Sequence, residues 1–438
     1  MRNIGSPKWG LGAGYLVLLT LIYLFIYSLF VKQHEQEVTQ IYFADRVTEA
    51  HRILIDKYNR MNAGRIQVIP IDFPNRDFST NERKEILARS LRGEGDGIDL
   101  VAVDVIWVQR FAKWCEPLGR YFSDQEMQKI IPDALYSCYA DGQLVALPLD
   151  LVQGVMYYRE DLLRKIKGGD RVIRALQSNI TWPDFIALKG KLQWKGPLYV
   201  FTAADYEGLI CVYIENLLGL RQDYFSTYGF NFDTQEAREA LQLLVDLVQK
   251  HRVAPEVVTR FTEVPSYDYF VKNNGLFIRG WTSYDRDFKE APYGPENESH
   301  LRKVPLPYSP RGRPTSIFGG WNLMVSKFSK KKEAVIDFMK FLLRDESQEV
   351  FYTNGGHYPV ISSFYNDSAS VRRHPEIGSI KALMLTGVHR PVQQDYTNYS
   401  KIMSHYFVQA IKNKISVSDA LIGATAAIQS AQQSVVTR

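Results

Sequence analysis

Apolar and polar positions divide the chain into stretches of different type. Leu11–Phe30 is an unbroken run of 20 uncharged residues, preceded by Arg2 and Lys8. Such a run is long enough to span a hydrocarbon core as a helix and longer than a secretory h-region. From Thr39 onward the pattern changes. Thr39–Ala44 predicts a short strand, and Asp45–Met61 predicts a helix with Ile53, Leu54, Tyr58 and Met61 at helical spacing. Arg65–Phe73 alternates as a strand. Asn81–Leu91 is an amphipathic helix stopped by Gly93–Gly97, and Ile98–Val105 is an apolar strand apart from its two aspartates. Strand and helix in turn predict a doubly wound α/β unit with a mainly parallel sheet. Ligands of such sheets sit beyond the carboxyl ends of the strands. Asp45 and Asp104 fall there, and position alone fits a helix N-cap as well as a ligand contact. Behind Asp104, Trp107, Phe111, Trp114 and Leu118 share one face. Phe111 and Trp114 are read as core and Trp107 as facing a cleft.

Gln143–Arg159 is apolar on both sides of Pro148, with Asp150 and Gly154 in its middle. This predicts a buried strand that breaks at the proline, which cannot donate to a ladder. A break beside one acid marks a crossing between domains. A second α/β run follows: a helix at Glu160–Lys167, one beginning at Trp182 with Thr181 as N-cap, a strand and loop to Tyr206, helices at Leu209–Leu218 and Thr234–Lys250, and a strand at Gly275–Trp281. Val304–Arg313 holds three prolines and reads as a connector, as does His357–Val360. The predicted organisation is a stub and anchor at 1–35, a first lobe of 39–147 and 314–357, a second of 148–303 and 361–430, and connectors at 304–313 and 357–360. With the break near Pro148 this makes three crossings.

The length of 438 residues fits two domains. Net charge is +5 with Lys and Arg scattered, so the basic stripe of a nucleic-acid binder is missing. Aromatics reach 13%, more than core filling needs, which points to a surface that stacks on something flat. The three cysteines show no metal spacing. A Cys115–Cys138 disulfide and buried free thiols both stay open. The residues after the apolar run, Leu29–His34, are bulky or polar, with no small-residue cleavage site and no cysteine for a lipid. An uncleaved signal anchor is therefore expected, with residue 1 in the cytoplasm and everything after about 35 outside.

No nucleophile elbow, P-loop, dinucleotide fingerprint or zinc-protease motif occurs. Asp285-Arg286-Asp287 is formally a D-x-D triplet, of a kind expected by chance in a chain this long. What recurs is a polar residue or glycine beside an aromatic: Asp104 with Trp107, Asp205 with Tyr206, Gly280-Trp281 and Gly320-Trp321. Sugars suit such pairs, because their C–H faces stack on rings and their hydroxyls need acceptors.

Several segments in order then resemble the carbohydrate-type family 1 of solute-binding proteins, the maltose-binding-protein-like receptors of ABC importers. They are Asp99–Val105 with Trp107 and Leu118, Asp141-Gly142-Gln143 through Pro148 to Tyr157–Leu162, Thr181-Trp182-Pro183, Phe270–Trp281, Gly319–Ser326 with Ala334–Leu343, Gly355-Gly356 with Pro359, and Arg390-Pro391. The likeness covers about 40 to 430. It implies a two-lobe α/β fold that closes over a small solute, a sugar or oligosaccharide, and delivers it to an ABC permease, with no cofactor and no catalysis. By matching position, Asp104, Trp281, Gly320, Trp321 and Arg390 fall where sugar contacts lie, and Asp45-Arg46 matches more loosely. Tyr206 and Trp107 join them from the aromatic pairs, and Asp150 faces either ligand or hinge. Asp150 and Val152 stand where many sugar binders carry an acid and a tyrosine, which leaves the sugar open. A membrane-anchored ligand sensor and an anchored glycan-acting enzyme are the alternatives.

Overall fold

The computed structural model describes residues 10–33, 38–74, 77–78, 80–94, 97–287 and 299–436. Its strands in chain order are β1 (Thr39–Asp45), β2 (Ile66–Asp72), β3 (Leu100–Asp104), β4 (Tyr139–Ala140), β5 (Gln143–Leu144), β6 (Leu147–Pro148), β7 (Val152–Arg159), β8 (Tyr199–Val200), β9 (Phe277–Trp281), β10 (Leu301–Val304), β11 (Ser316–Gly319), β12 (Trp321–Val325) and β13 (Gly387–Val388). They form two main sheets, which give the molecule its two lobes. The first runs β2-β1-β3-β12-β6, and the second runs β13-β11-β7-β9-β8 with β10 also on β7. β1 lies parallel to β2 and β3, as strand–helix alternation requires, while β12 returns antiparallel beside β3.

Helices cover both sheets. Glu49–Met61 and Lys332–Leu342 pack on the first, where Tyr58 meets Phe338 edge-on at 4.9 Å and Phe43 meets the same ring at 5.9 Å. Glu207–Leu220, Gln235–Val248, Tyr396–Ile411 and Val417–Val436 form the helical layer of the second. Every residue of β7 is buried. A strand covered on both faces needs the continuous apolar run seen in the sequence.

The chain changes sheets in three places, and two differ from the expected connectors. It leaves the first sheet at Pro148, on edge strand β6, and enters the second at Val152. It returns at Gly320, because β11 pairs with β7 while β12 pairs with β3. Residues 316–319 therefore belong to the second sheet, and the prolines of 304–313 precede a strand of that sheet instead of joining the lobes. Beyond His357–Val360 the chain stays with the first lobe: Ile131 donates to Val360 O, Ser362 to Lys129 O, and Ser363 to Asp345. It rejoins the second sheet only at β13, next to β11. Proline density marked stiff loops there, and the crossings rest on single residues that proline counting does not see.

Gly320 is the tightest of these. Its φ is +138°, and a Cβ would stand 2.5 Å from the Asp150 carbonyl oxygen, so only glycine fits where two crossings touch.

The three cysteines are free and buried. Burial pushes the Cys115 thiol up to about 12. Helix Gly10–Gln33 has side chains described over 14–27, all exposed. Among the described residues no helix is long and apolar enough to cross a membrane.

Candidate functional site

The end of β3 faces the start of helix Glu207–Leu220 across the gap between the lobes. A cavity of about 100 Å³ lies there. Asn81, Lys84, Asp104 and Trp107 line it from the first lobe; Tyr206, Glu207, Ser400 and Lys401 line it from the second, with Asp205 beside them.

Arg390 links the two sides. Its side chain is 1% exposed, and it donates to Asp104 Oδ1 at 3.3 Å and to Glu207 Oε1 at 2.8 Å. Burial works against the guanidinium charge, yet Cys211, Asp104 and Glu207 outweigh it and hold the pKa well above the ordinary arginine value. Glu207 is further satisfied by Tyr396 Oη at 3.0 Å and by the Ser400 hydroxyl. Asp104 also accepts the Ile106 N–H at 3.1 Å. It thus caps the short helix Val105–Trp107 and holds a cation at once. Asp205 accepts from Ser404 at 2.6 Å and lies 3.3 Å from His405.

Trp321 pairs with Asp104 across β12 and β3. Its ring is met edge-on by Trp107 at 5.6 Å, and the Arg83 guanidinium lies over it at 3.9 Å from the centroid. Arg83 is buried and bonds Asp45 Oδ1 at 2.5 Å and Ala102 O at 3.2 Å. His51 stands 3.0 Å from Asp45 Oδ2, and the Arg46 N–H donates to Asp45 Oδ1 at 2.6 Å. Asp45 therefore neutralises the cation behind Trp321, and the Asp45-Arg46 pair lies outside the cavity lining. The second lobe repeats the device. Arg279 lies over Trp281 at 4.1 Å, and its Nη2 meets Glu215 Oε1 at 2.6 Å. Each indole thus has one face covered by a buried, ion-paired guanidinium, which makes it a one-sided platform.

Asp150 sits at the crossing. Oδ1 accepts the Trp321 N–H at 3.0 Å and Oδ2 lies 3.0 Å from His357 Nδ1, with the carboxylate 2% exposed. It joins the crossing at Gly320-Trp321 to the segment at His357. Of the residues singled out in the sequence, Asp104, Trp107 and Tyr206 come together in the cavity with Arg390 behind them. Asp150, Gly320, Trp321 and Trp281 group at the hinge, where a Cβ on Gly319 would touch the Trp281 ring at 3.1 Å. Trp107 lines the cavity although only 2% exposed, because Phe111 and Trp321 cover the rest of it. Asp285 of the D-x-D triplet is tied to Lys303 at 2.8 Å. Sequence reasoning missed Glu207, Arg83, Arg279 and Glu215. Glu207 directly follows the Asp205/Tyr206 pair, and Gly154 within a buried strand signalled close packing: a Cβ there would meet Glu215 Oε1 at 2.2 Å.

Residues 52–349 match the protein family described as bacterial extracellular solute-binding protein. A probable ABC transporter-binding protein of Deinococcus radiodurans is 24% identical over 359 residues, 78% of this chain and 80% of its own. Among solved structures, maltose-bound MalE3 of T. maritima is 26% identical with a TM-score of 0.79, over 90% of this chain and 99% of that one. A solute-binding protein of Thermotoga lettingae bound to α-D-tagatose has a TM-score of 0.76 at 18% identity, over 90% and 99%. This last likeness is one of fold.

Proposed function

Because this chain belongs to the bacterial extracellular solute-binding proteins, a family of transport receptors and not of enzymes, we propose that it is an exported receptor that captures a sugar-type solute between its lobes for an ABC-type permease. One observation carries the reading: a polar cavity lined from both lobes, with Arg390 bonded to a carboxylate on each side. A ligand in that position touches both lobes at once and so favours the closed arrangement, which a permease can recognise.

Asp104 uses Oδ1 for Ile106 and Arg390, which leaves Oδ2 for a sugar hydroxyl as a charge-assisted acceptor. Trp281 and Trp321 offer their uncovered faces for stacking. The cavity of about 100 Å³ is smaller than the roughly 300–1,000 Å³ of ordinary small-molecule pockets. Loading therefore requires the lobes to part, with the lobe division falling at 149–151, Gly320 and Thr386. Maltose and tagatose, the solutes of the structurally similar proteins, are the first ligands to try.

A membrane anchor in the uncharged run Leu11–Phe30 belongs to this reading; of that run only the side chains of 14–27 are described, a stretch too short by itself to cross. Its described side chains are exposed on all sides, and Leu11–Phe30 carries no charge. Tethering keeps the receptor near its permease and raises effective concentration.

The test is a thermal-shift screen of the full chain in detergent against maltose, tagatose, ribitol and mannitol, followed by calorimetry. A true ligand at a hundredfold excess over Kd stabilises by about 2.7 kcal/mol, without turnover. If no sugar or polyol shifts the transition, the sugar-receptor reading fails.

A further inference from the structure

We propose that Arg83 and Arg279 are positioning residues of the solute site: each locks one cleft indole to its own lobe, so that Trp321 and Trp281 work as two rigid jaws. What the jaws hold rests on the receptor reading above; how they are held does not. Trp321 opens β12 and Trp281 closes β9, and both side chains are only partly buried. At a strand end the ladder steadies the backbone from one side alone. An unsupported indole there would have to be ordered when a solute binds, at a cost to affinity.

The covering guanidiniums remove that freedom. Arg279 stands two residues before Trp281, on the same face of the strand, and lies over the ring at 4.1 Å. Arg83 comes from a different kind of element, helix Thr80–Arg92, and reaches the Trp321 ring at 3.9 Å. Each cation is tied to its own lobe. Arg83 bonds Asp45 of β1 and the Ala102 carbonyl of β3 at 3.2 Å. Glu215, the partner of Arg279, also accepts the Ile317 N–H of β11 at 3.3 Å. Trp321 therefore follows the first sheet and Trp281 the second. Ion pairs buried this deeply bring little net stability, yet the chain gives up strand propensity to house one. Glycine weakens a strand interior, but a Cβ at Gly154 on β7 would stand 2.7 Å from the Arg279 guanidinium. Two lobes that reach one device from unlike elements point to a use in the cleft between them. Parting the lobes at Gly320 separates the two uncovered faces, and closure returns them to the solute with no indole left to order.

Fluorine NMR of the full chain in detergent, with 5-fluorotryptophan in place of tryptophan and no solute added, tests how the jaws are held. Trp281→Phe and Trp321→Phe assign the two signals. Arg279→Met with Glu215→Leu, which strands no charge, should shift and broaden the Trp281 signal and leave that of Trp321 as it was. Arg83→Met with Asp45→Asn should do the reverse. Arg279→Lys keeps the charge but not the flat cover, and it should loosen Trp281 all the same, which a purely structural ion pair would not do. Calorimetry with maltose and tagatose should then show binding roughly three- to tenfold weaker in each double variant, the cost of ordering one large side chain. Unchanged Trp281 and Trp321 signals in these variants, or full affinity with loosened indoles, overturns the inference. A silent sugar panel fails the receptor reading alone, and the signals still decide this one.

Discussion

Asp45 is buried with Arg83 against one oxygen and His51 against the other. Burial alone raises a carboxyl pKa, but Arg83 and His51 outweigh it, and the group ends below the ordinary 3.8. The unfolded chain thus binds a proton at a pH where the folded chain does not. The stabilisation is present in full above the unfolded pKa and is lost as pH falls through the lower folded one. Asp45→Asn removes this dependence. Urea titrations at several pH values should show its stability falling less steeply than the wild type's between about pH 5 and 2. Identical slopes would show that Asp45 is not the titrating group. The same residue shows how position in the sequence misleads. A strand-end aspartate suggests a ligand contact, yet here its partners are Arg83 and His51, which arrive from two helices.

Among elements, β7 and β9 hold the most telling arrangement. Gly154 on β7 leaves the space that Glu215 and Arg279 fill, and Arg279 in turn lies over Trp281. A buried ion pair is a poor source of stability, since apolar residues of similar volume often serve as well. Its use here is positional: the guanidinium fixes the indole. Arg279→Met alone strands the Glu215 charge and should cost roughly 3–5 kcal/mol, whereas Arg279→Met with Glu215→Leu should lie within about 1 kcal/mol of the wild type. Denaturant unfolding of both variants decides it. A double variant as weak as the single one would mean that the pair does hold the lobe together. Trp281 and Gly280 were legible as an aromatic beside a glycine; Arg279 stands two residues before the ring on the same face of that strand, and what the sequence does not show is Glu215, the distant helix residue whose charge holds the guanidinium there.

For the whole molecule, the lobes meet at few residues. Asp150 accepts from Trp321 and faces His357, so one carboxylate ties two of the crossings, at 149–151 and at Gly320, to the first-lobe segment at His357. His389, against Phe318 of β11 at 5.2 Å, stacks on Tyr136 at 4.1 Å and lies 3.6 Å from Asp133. Hinged lobes need such small, breakable contacts, because a broad apolar interface would hold them shut. The proposed anchor belongs to this scale too. After an alkaline carbonate wash of membranes, the full chain should stay in the pellet, and a chain lacking residues 1–35 should be released. Release of the full chain, or recovery of a shortened N-terminus, would rule the anchor out.

The sequence by itself determined the α/β class, the order of the elements, the buried crossing strand at Gln143–Arg159 and the family resemblance. The first three follow from local periodicity and from glycine and proline, whose constraints act over a few residues, and the resemblance rests on several motifs in their order. It also singled out Asp104, Trp107 and Tyr206, which the fold brings to one cavity, because strand ends and aromatic neighbours are local signals. Only the tertiary structure decided that Gly320 and not the proline-rich 304–313 carries a crossing, that Asp150 joins His357, and that Arg390 bridges Asp104 to Glu207. Those facts depend on which sheet a strand joins and on which charges meet across the cleft. Such contacts pair residues far apart in the chain, and no local pattern records them.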